Sequence, residues 1–473
     1  MKKILILIEI LLLSFVLAGC ASKPSPKNPV VISIWHYYNG TQLLAFDEMV
    51  SEFNDTAGAE MGIFVESSSK GGVNELTQSI NDSVQKKVGA EELPNIFACY
   101  ADNAFSYDQQ NVLASFDPYF TKKEFSEYVD SYLEEGRLDG GKEVKIIPTA
   151  KSTEIMLLNK TDWDRFSAAT GASLEELSTW EGLARVAETY YNWTDEQTPE
   201  PNDGKAFFGI DSNANYLLVG LHQLGADPVK DTNGATSLTL EQPIMERLWN
   251  CMYIPYAKGY YTNAGRFRSD DAKTGTVIAY TGSSSGGSYF PKEVYGSSGA
   301  YPIDVLALSM PNFEGTAPCA VQQGAGMVMT KSDSLHEYAC AEFLKWFTQS
   351  QRNLEFCVNA GYLPVKKDVC TLESIEQFSE TELLQNKAVQ QSLEVAMKQF
   401  STYEFYSVEP FAHSAQMRQV FEKSLGDAVN NIQIQRNTTT DKISSITEKL
   451  TSKEAFEAWY VDLNQQLSAL FHS

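Results

Sequence analysis

Histidine is scarce in this chain, with five in 473 residues. His36, His222, His336, His413 and His472 are scattered, no two at i, i+4 spacing, and H-E-x-x-H does not occur. No metal site is therefore expected. The seven cysteines include no C-x-x-C pair, which removes zinc-ribbon and thioredoxin-like chemistry. Neither G-x-G-x-x-G nor a P-loop is present, so no nucleotide site and no cofactor are expected. Positive charge is also short. Against 61 Asp and Glu stand 37 Lys and Arg, for a net charge of −24. Such a surface repels phosphates, and nucleic acid is excluded as a partner. Internal repeats are missing, as are apolar runs of membrane-spanning length beyond the N-terminus.

What is present is an ordinary globular composition, 43% apolar and 21% charged. The length suits two large lobes or about three domains. The N-terminus carries a short basic start, Met1-Lys2-Lys3, and then an apolar stretch over residues 4–16, interrupted by Glu9. This reads as an export signal rather than a spanning helix. It ends Leu17-Ala18-Gly19-Cys20, which resembles the bacterial lipobox, whose cysteine thiol takes a diacylglycerol. An ordinary signal peptide that happens to end near a cysteine is the alternative. Residues 1–19 are thus assigned to a lipoprotein signal peptide, with Cys20 lipidated and acylated (palmitate). Residues 20–29, rich in Pro and Ser, form a tether. The expected location is the extracellular face of a Gram-positive-like cell membrane, through the lipid anchor only. Disulfides are permitted there, and buried free thiols are equally compatible with the wide spacing of the other six cysteines.

After the tether, strand and helix patterns alternate. Residues 30–35, 63–66 and 96–100 read as strands. Between them Leu43, Phe46, Met49, Val50 and Phe53, then Leu76, Ile80, Val84 and Val88, repeat at helical spacing. This β-α-β-α-β opening predicts a parallel sheet covered on both faces. Further strands are expected at 145–148, 155–159, 276–280, 305–308 and 326–330. Ser178-x-x-Glu181 and Ser334-x-x-Glu337 read as capping boxes opening helices. From about residue 380 the pattern is helical, with Met417, Phe421 and Leu425, then Phe456, Trp459 and Leu463, on inward faces. The fold class is α/β with a helical C-terminal quarter.

Gly282-Ser283-Ser284-Ser285-Gly286 satisfies G-x-S-x-G. A nucleophile elbow needs a strand before the serine and a helix after it. A strand precedes it, but Gly287-Ser288-Tyr289-Phe290-Pro291 opens a helix poorly. A serine hydrolase using Ser284 is thus a remote alternative to a loop that hydrogen-bonds a polar ligand or merely connects. Aromatic and polar residues instead gather at the C-terminal ends of predicted strands, where open α/β sheets bind ligands. Trp35, Tyr37 and Asn39 follow the first strand, Tyr100 and Asp102 the third, and Lys151 and Ser152 lie between two others. Rings stack on sugar C–H faces while Asp and Asn take hydroxyls. The competing readings are core packing for Trp35 and Tyr100, helix capping for Asp102, and a solvated position for Lys151.

The sequence resembles family 1 extracellular solute-binding proteins, the receptor subunits of ABC importers. The stretches that carry the resemblance are the lipobox, Ile32-Ser33-Ile34-Trp35-His36, Leu93-Pro94-Asn95-Ile96 and Ser152 through Lys160. They continue with Ser178 through Leu183, Gly324-Ala325-Gly326-Met327-Val328-Met329 and Gly361-Tyr362-Leu363-Pro364-Val365. The resemblance implies a two-lobe, type II periplasmic-binding-protein-like fold that clamps solute in a cleft and is not an enzyme. Lobe one would combine 30–148 with 310–365, and lobe two 152–308 with 366–473. It implies a carbohydrate ligand, contacted by Trp35, Tyr37, Asn39, Tyr100, Asp102, Ser152, Tyr280, Ser283, Ser284 and Tyr362. The implied partners are two permease subunits and their cytoplasmic ATPase, the receptor itself being a monomer. A closer likeness to the glycerol-3-phosphate receptor branch, through Trp35-His36, Lys70-Gly71, the late Ser/Gly loop and Gly324-Ala325, makes a phosphorylated polyol or sugar phosphate the alternative. There the chain carries Pro410 and His413 near Gln416-Met417-Arg418, where that branch has an Arg engaging phosphate. This departure puts phosphate second, with Lys151 as the candidate replacement cation.

Overall fold

The computed structural model describes residues 23–138, 141–232, 235–296, 299–379, 386–438 and 443–471. The export signal and Cys20 lie outside these residues. The chain divides into two compact units. Unit 1 comprises residues 1–149 and 325–352, and unit 2 comprises residues 150–324 and 353–473.

Unit 1 is built on a five-stranded sheet. Val30–His36 is flanked by Ile63–Ser69 on one side and Ile96–Cys99 on the other, all parallel. The helices between them supply the crossovers that parallel pairing requires. Two further strands depart from the expected all-parallel sheet. Gly326–Met329 pairs antiparallel with both Ile96–Cys99 and Ile146–Ile147, because the chain enters it from unit 2 rather than through a helical crossover. The helix Gly40–Asp55 buries Phe46, Met49, Val50 and Phe53. Phe46 meets the edge of Phe347 at 5.6 Å, and Phe53 meets Phe343 at 5.1 Å. Each such ring contributes about 1.5–3 kcal/mol by its removal from water. The helix Ser334–Phe347 that carries these partners is capped by Asp333, whose carboxylate accepts from the N–H groups of Leu335 and His336. The expected capping box at Ser334 is thus displaced by one residue, onto a side chain that caps equally well.

Unit 2 holds a four-stranded mixed sheet in the order Val305–Leu308, Glu154–Asn159, Ala279–Ser283, Phe208–Ile210. Only the last pair is parallel. Helices cover it, and one buried apolar cluster joins Trp163, Phe166 and Leu183 to Phe421, Leu425, Phe456 and Leu463. The C-terminal helices Ser414–Thr438 and Lys453–Phe471 are where the periodicity placed them. Helix Trp180–Asp195 is capped by Thr179, whose Oγ1 accepts from the Gly182 N–H at 3.0 Å, again one residue from the expected Ser178.

Residues 310–324 and 353–365, expected with the first lobe, cluster with unit 2. Two sets of contacts draw the first stretch in: Cys319–Val321 pairs with Glu404–Tyr406, and Ser152 exchanges backbone hydrogen bonds with Gln323. Among the described residues no helix is long and apolar enough to cross a membrane.

Candidate functional site

Parallel register in unit 1 brings three strand ends to one edge, so the segments after His36, Ser69 and Cys99 lie together. Asn39 binds two of them: its Nδ2 donates to the carbonyls of Tyr37 at 2.9 Å and Gly71 at 2.8 Å. It therefore orders the loop and does not cap the helix that follows. The rings of Tyr37 and Tyr100, both half-buried, lie near-parallel with centroids 6.4 Å apart. With Thr77, Asn103 and Tyr107 they line a shallow recess. Asp102, in the first turn of helix Ala101–Gln109, accepts from the Asn103 N–H at 2.8 Å.

Trp35 is placed otherwise. It is 5% exposed, and the Lys70 ammonium sits 3.9 Å above its ring while pairing with Glu91 at 2.8 Å. One face of the indole is thus covered by a cation, and Lys70 is itself engaged. His36 is fully buried between Tyr38 and Phe46, its Nδ1 accepting from the Tyr38 N–H at 3.2 Å. Desolvation lowers its pKa to about 4, so the imidazole is neutral. Burial pushes the Cys99 thiol well above its usual range, which makes it unreactive.

In unit 2, Lys151 is 3% exposed and its Nζ donates to the Gly324 carbonyl at 2.9 Å. Its backbone exchanges hydrogen bonds with Leu363 at 3.1 and 2.6 Å. Gly324 has φ +99°, and a Cβ there would fall 2.6 Å from the Ala150 carbonyl. Lys151, Ser152 and Gly324 thus form one backbone knot. Ser284 is 0% exposed: its N–H donates to the Thr153 carbonyl and its Oγ accepts from the Thr153 N–H. A buried serine held this way is not an exposed nucleophile. Ser283 and Ser285 share a hydroxyl contact at 2.9 Å. Gly287 is required because Ala388 and Ser392 pack against its backbone. Tyr280 and Tyr362 are buried, at 5% and 4% exposed, and His413 is half-buried, its carbonyl accepting from Met417.

A buried polar group of unit 2 was not anticipated. Glu154, the first residue of its strand, is 5% exposed, and its Oε1 accepts from Asn215 Nδ2 at 2.8 Å. The same amide donates to Gln323 Oε1 at 3.2 Å, and Asn215 Oδ1 accepts from Arg418. Burial raises the Glu154 pKa to about 7; the Asn215 hydrogen bond and Arg418 oppose this, and Asp211 and Glu422 reinforce it. Asp211 is accessible to water, yet desolvation also raises its carboxyl, against the pull of Arg268. Glu422 occupies the N-terminus of helix Asn213–Gln223, accepting from the Ala214 N–H at 2.8 Å and from Ser212 Oγ at 3.2 Å. The available signal was Asp211-Ser212-Asn213-Ala214-Asn215, a polar run after an apolar one. The strand before it, Phe208–Ile210, has only three residues and shows no period. Among the described residues no group of three His, Cys, Asp or Glu side chains is arranged to hold a metal.

Residues 48–384 match the family model of the bacterial extracellular solute-binding proteins. Among curated proteins none matches the chain. Solved structures of similar fold include the cyclic alpha-maltosyl-1,6-maltose binding protein of Arthrobacter globiformis. Its TM-score is 0.64 at 17% identity, covering 94% of this chain and 99% of that one. UgpB of Mycobacterium tuberculosis, in complex with glycerophosphocholine, has TM-score 0.64 at 17% identity, over 95% and 99% of the two chains. The MalE domain of Bdellovibrio bacteriovorus bound to maltotriose has TM-score 0.62 at 12% identity, over 93% and 100%.

Proposed function

Because this chain belongs to the bacterial extracellular solute-binding protein family, we propose that it is the solute receptor of an ABC importer and that its solute is a carbohydrate. The two-lobe, periplasmic-binding-protein-like fold it shares with the neighbours above suits a receptor rather than a catalyst. The observation that carries the sugar reading is the recess at the unit 1 strand ends. Two half-buried, near-parallel tyrosine rings stand there beside Asn103, with Asp102 in the same helical turn. Apolar C–H faces stack on such rings, and carboxylate and amide oxygens accept from hydroxyls. In unit 2 the corresponding candidates are Asp211, Asn213 and Glu154.

A phosphorylated polyol or sugar phosphate is the second reading, supported by the glycerophosphocholine complex among the structural neighbours. It ranks lower because Lys151, the candidate cation for phosphate, is engaged by the Gly324 carbonyl, and Lys70, at a nearby strand end, is engaged by Trp35 and Glu91. The rest of the reading rests on the lipobox and on the family resemblance. The protein is exported, cleaved before Cys20, lipidated there and held on the outer membrane face as a monomer. It passes solute to two permease subunits driven by a cytoplasmic ATPase.

Thermal melting of the mature chain against neutral mono- and oligosaccharides, sugar phosphates and glycerol phosphates tests this. A ligand at 100 times its Kd stabilises the fold by about 2.7 kcal/mol. A shift with saccharides supports the carbohydrate receptor; a shift confined to phosphorylated compounds promotes the second reading, and no shift removes both. Labelling of Ser284 by a serine-directed probe would contradict the receptor assignment.

A further inference from the structure

The segment expected to be a loose tether is folded onto unit 1 over most of its length. Ser25 and Asn28 exchange backbone hydrogen bonds at 2.8 and 3.2 Å, closing a turn at Pro26 and Lys27. Pro24 is buried. The Ser25 carbonyl lies against Gly62, where φ is +72° and a Cβ would collide with it. The Lys23 ammonium stands 4.8 Å from the centre of the Tyr338 ring, a cation on a π face. Val30, which follows, donates its N–H to the Gly62 carbonyl at 2.9 Å and begins its strand. Residues 23–29 are thus a strap across the N-terminal ends of the first two strands of unit 1. Only Ala21 and Ser22 separate it from Cys20. Three chain steps span at most about 11 Å, where a free tether from Cys20 to Val30 would allow about 35 Å.

The surface at this end is part apolar and nearly uncharged. Val31 and Phe64 are register partners on adjacent parallel strands, so their side chains stand together on one face, 49% and 47% exposed. The exposed Lys23 and Lys27 are offset by Asp55 and Glu60, exposed in the helices that lead into Gly62. Two such apolar side chains hold a bilayer poorly on their own, but a short anchor makes the contact intramolecular. We propose that the strand N-terminal end of unit 1 is a membrane-contact surface, held against the outer leaflet by a strap that leaves the lipid anchor no slack. The proposal rests on lipidation of Cys20. The recess at Tyr37 and Tyr100 stands at the other ends of the same strands, on the side away from the lipid. Peeling residues 23–29 from Gly62 and Tyr338 would add about 24 Å of reach.

The test uses the full chain, processed in bacterial cells and reconstituted into phosphatidylcholine vesicles whose headgroups carry a short-range nitroxide quencher. A fluorophore is attached at Ala59→Cys, exposed just before Gly62, or at Asn74→Cys, exposed beyond the far end of strand Ile63–Ser69. The six cysteines among the described residues are buried, which keeps the label specific. Because that strand separates the two positions by roughly 20 Å, quenching at residue 59 should exceed that at residue 74 by at least about threefold. Seven Gly and Ser residues inserted between Ser22 and Lys23 restore the slack without touching the fold, and should bring the two positions to equal quenching. Equal quenching in the parent chain overturns the proposal, as does a difference that survives the insertion. In either case flotation of the chain with the vesicles leaves the lipid anchor standing. A chain that does not float with them overturns the anchor and the proposal together.

Discussion

Tyr100→Ala takes away one of the two near-parallel rings at the unit 1 strand ends, and with it a stacking surface for a sugar. A stacked aromatic contributes about 0.5–1.5 kcal/mol beyond its area, so affinity for the saccharide should fall roughly tenfold with little change in melting temperature. An unchanged Kd would place the solute elsewhere. Lys151→Met makes the opposite prediction. It leaves the Gly324 carbonyl without its donor in a buried knot, which should cost about 1–3 kcal/mol of stability without altering the ranking of neutral over phosphorylated ligands. Two buried groups carry the pH dependence, with opposite signs. The neutral form of His36 is favoured in the fold, its pKa falling from 6.5 to about 4. Its contribution is complete above pH 6.5 and is lost as pH falls toward 4. At 1.36 kcal/mol per unit the full effect is about 3 kcal/mol. Glu154 rises from 4.5 to about 7, so its contribution is complete below pH 4.5 and lost as pH rises through 7. Urea titrations of His36→Gln and Glu154→Gln between pH 7 and 5 should therefore deviate from the parent in opposite directions. The sequence hinted at neither role, because burial and partners set both. Trp35 and His36 were conspicuous as a pair, yet one is capped by Lys70 and the other packs among aromatic rings.

At the scale of elements, the long strands and helices were legible wherever an apolar period ran for several residues. Val30–His36, Glu154–Asn159 and the helices after residue 413 fall close to their expected places. Strand direction was not legible, since nothing local to Gly326–Met329 records that the chain reaches it from unit 2. Cap positions slipped by one residue for a similar reason. Asp333 and Ser334 are both good caps, and only the backbone path chooses between them. The Ser/Gly loop was noticed for its chemistry, but Ser284 is buried and Gly287 answers to close packing. Gly324, outside that loop, is as constrained: its left-handed backbone and 2.6 Å approach to the Ala150 carbonyl leave no space for a side chain. Gly324→Ala should destabilise unit 2 by about 2 kcal/mol or more. A denaturant midpoint within error of the parent would show that the knot relaxes freely.

For the whole molecule, two separately cored units joined by three chain crossings need not unfold together. The tryptophans can separate them: Trp35 and Trp346 belong to unit 1, and the other five to unit 2. With Trp35 and Trp346 replaced by Phe, fluorescence follows unit 2 alone, while far-UV circular dichroism follows both. His36 lies in unit 1 and Glu154 in unit 2, so acidification from pH 7 to 5 weakens the first and strengthens the second. The fluorescence midpoint should then move to higher urea as part of the dichroism signal is lost at lower urea. Two transitions nearly coincident at pH 7 should separate at pH 5. Glu154→Gln should abolish the upward shift of the unit 2 midpoint without restoring unit 1. Transitions that stay superimposed at both pH values would mean that the units unfold as one, with the two titrations cancelling in a single free energy.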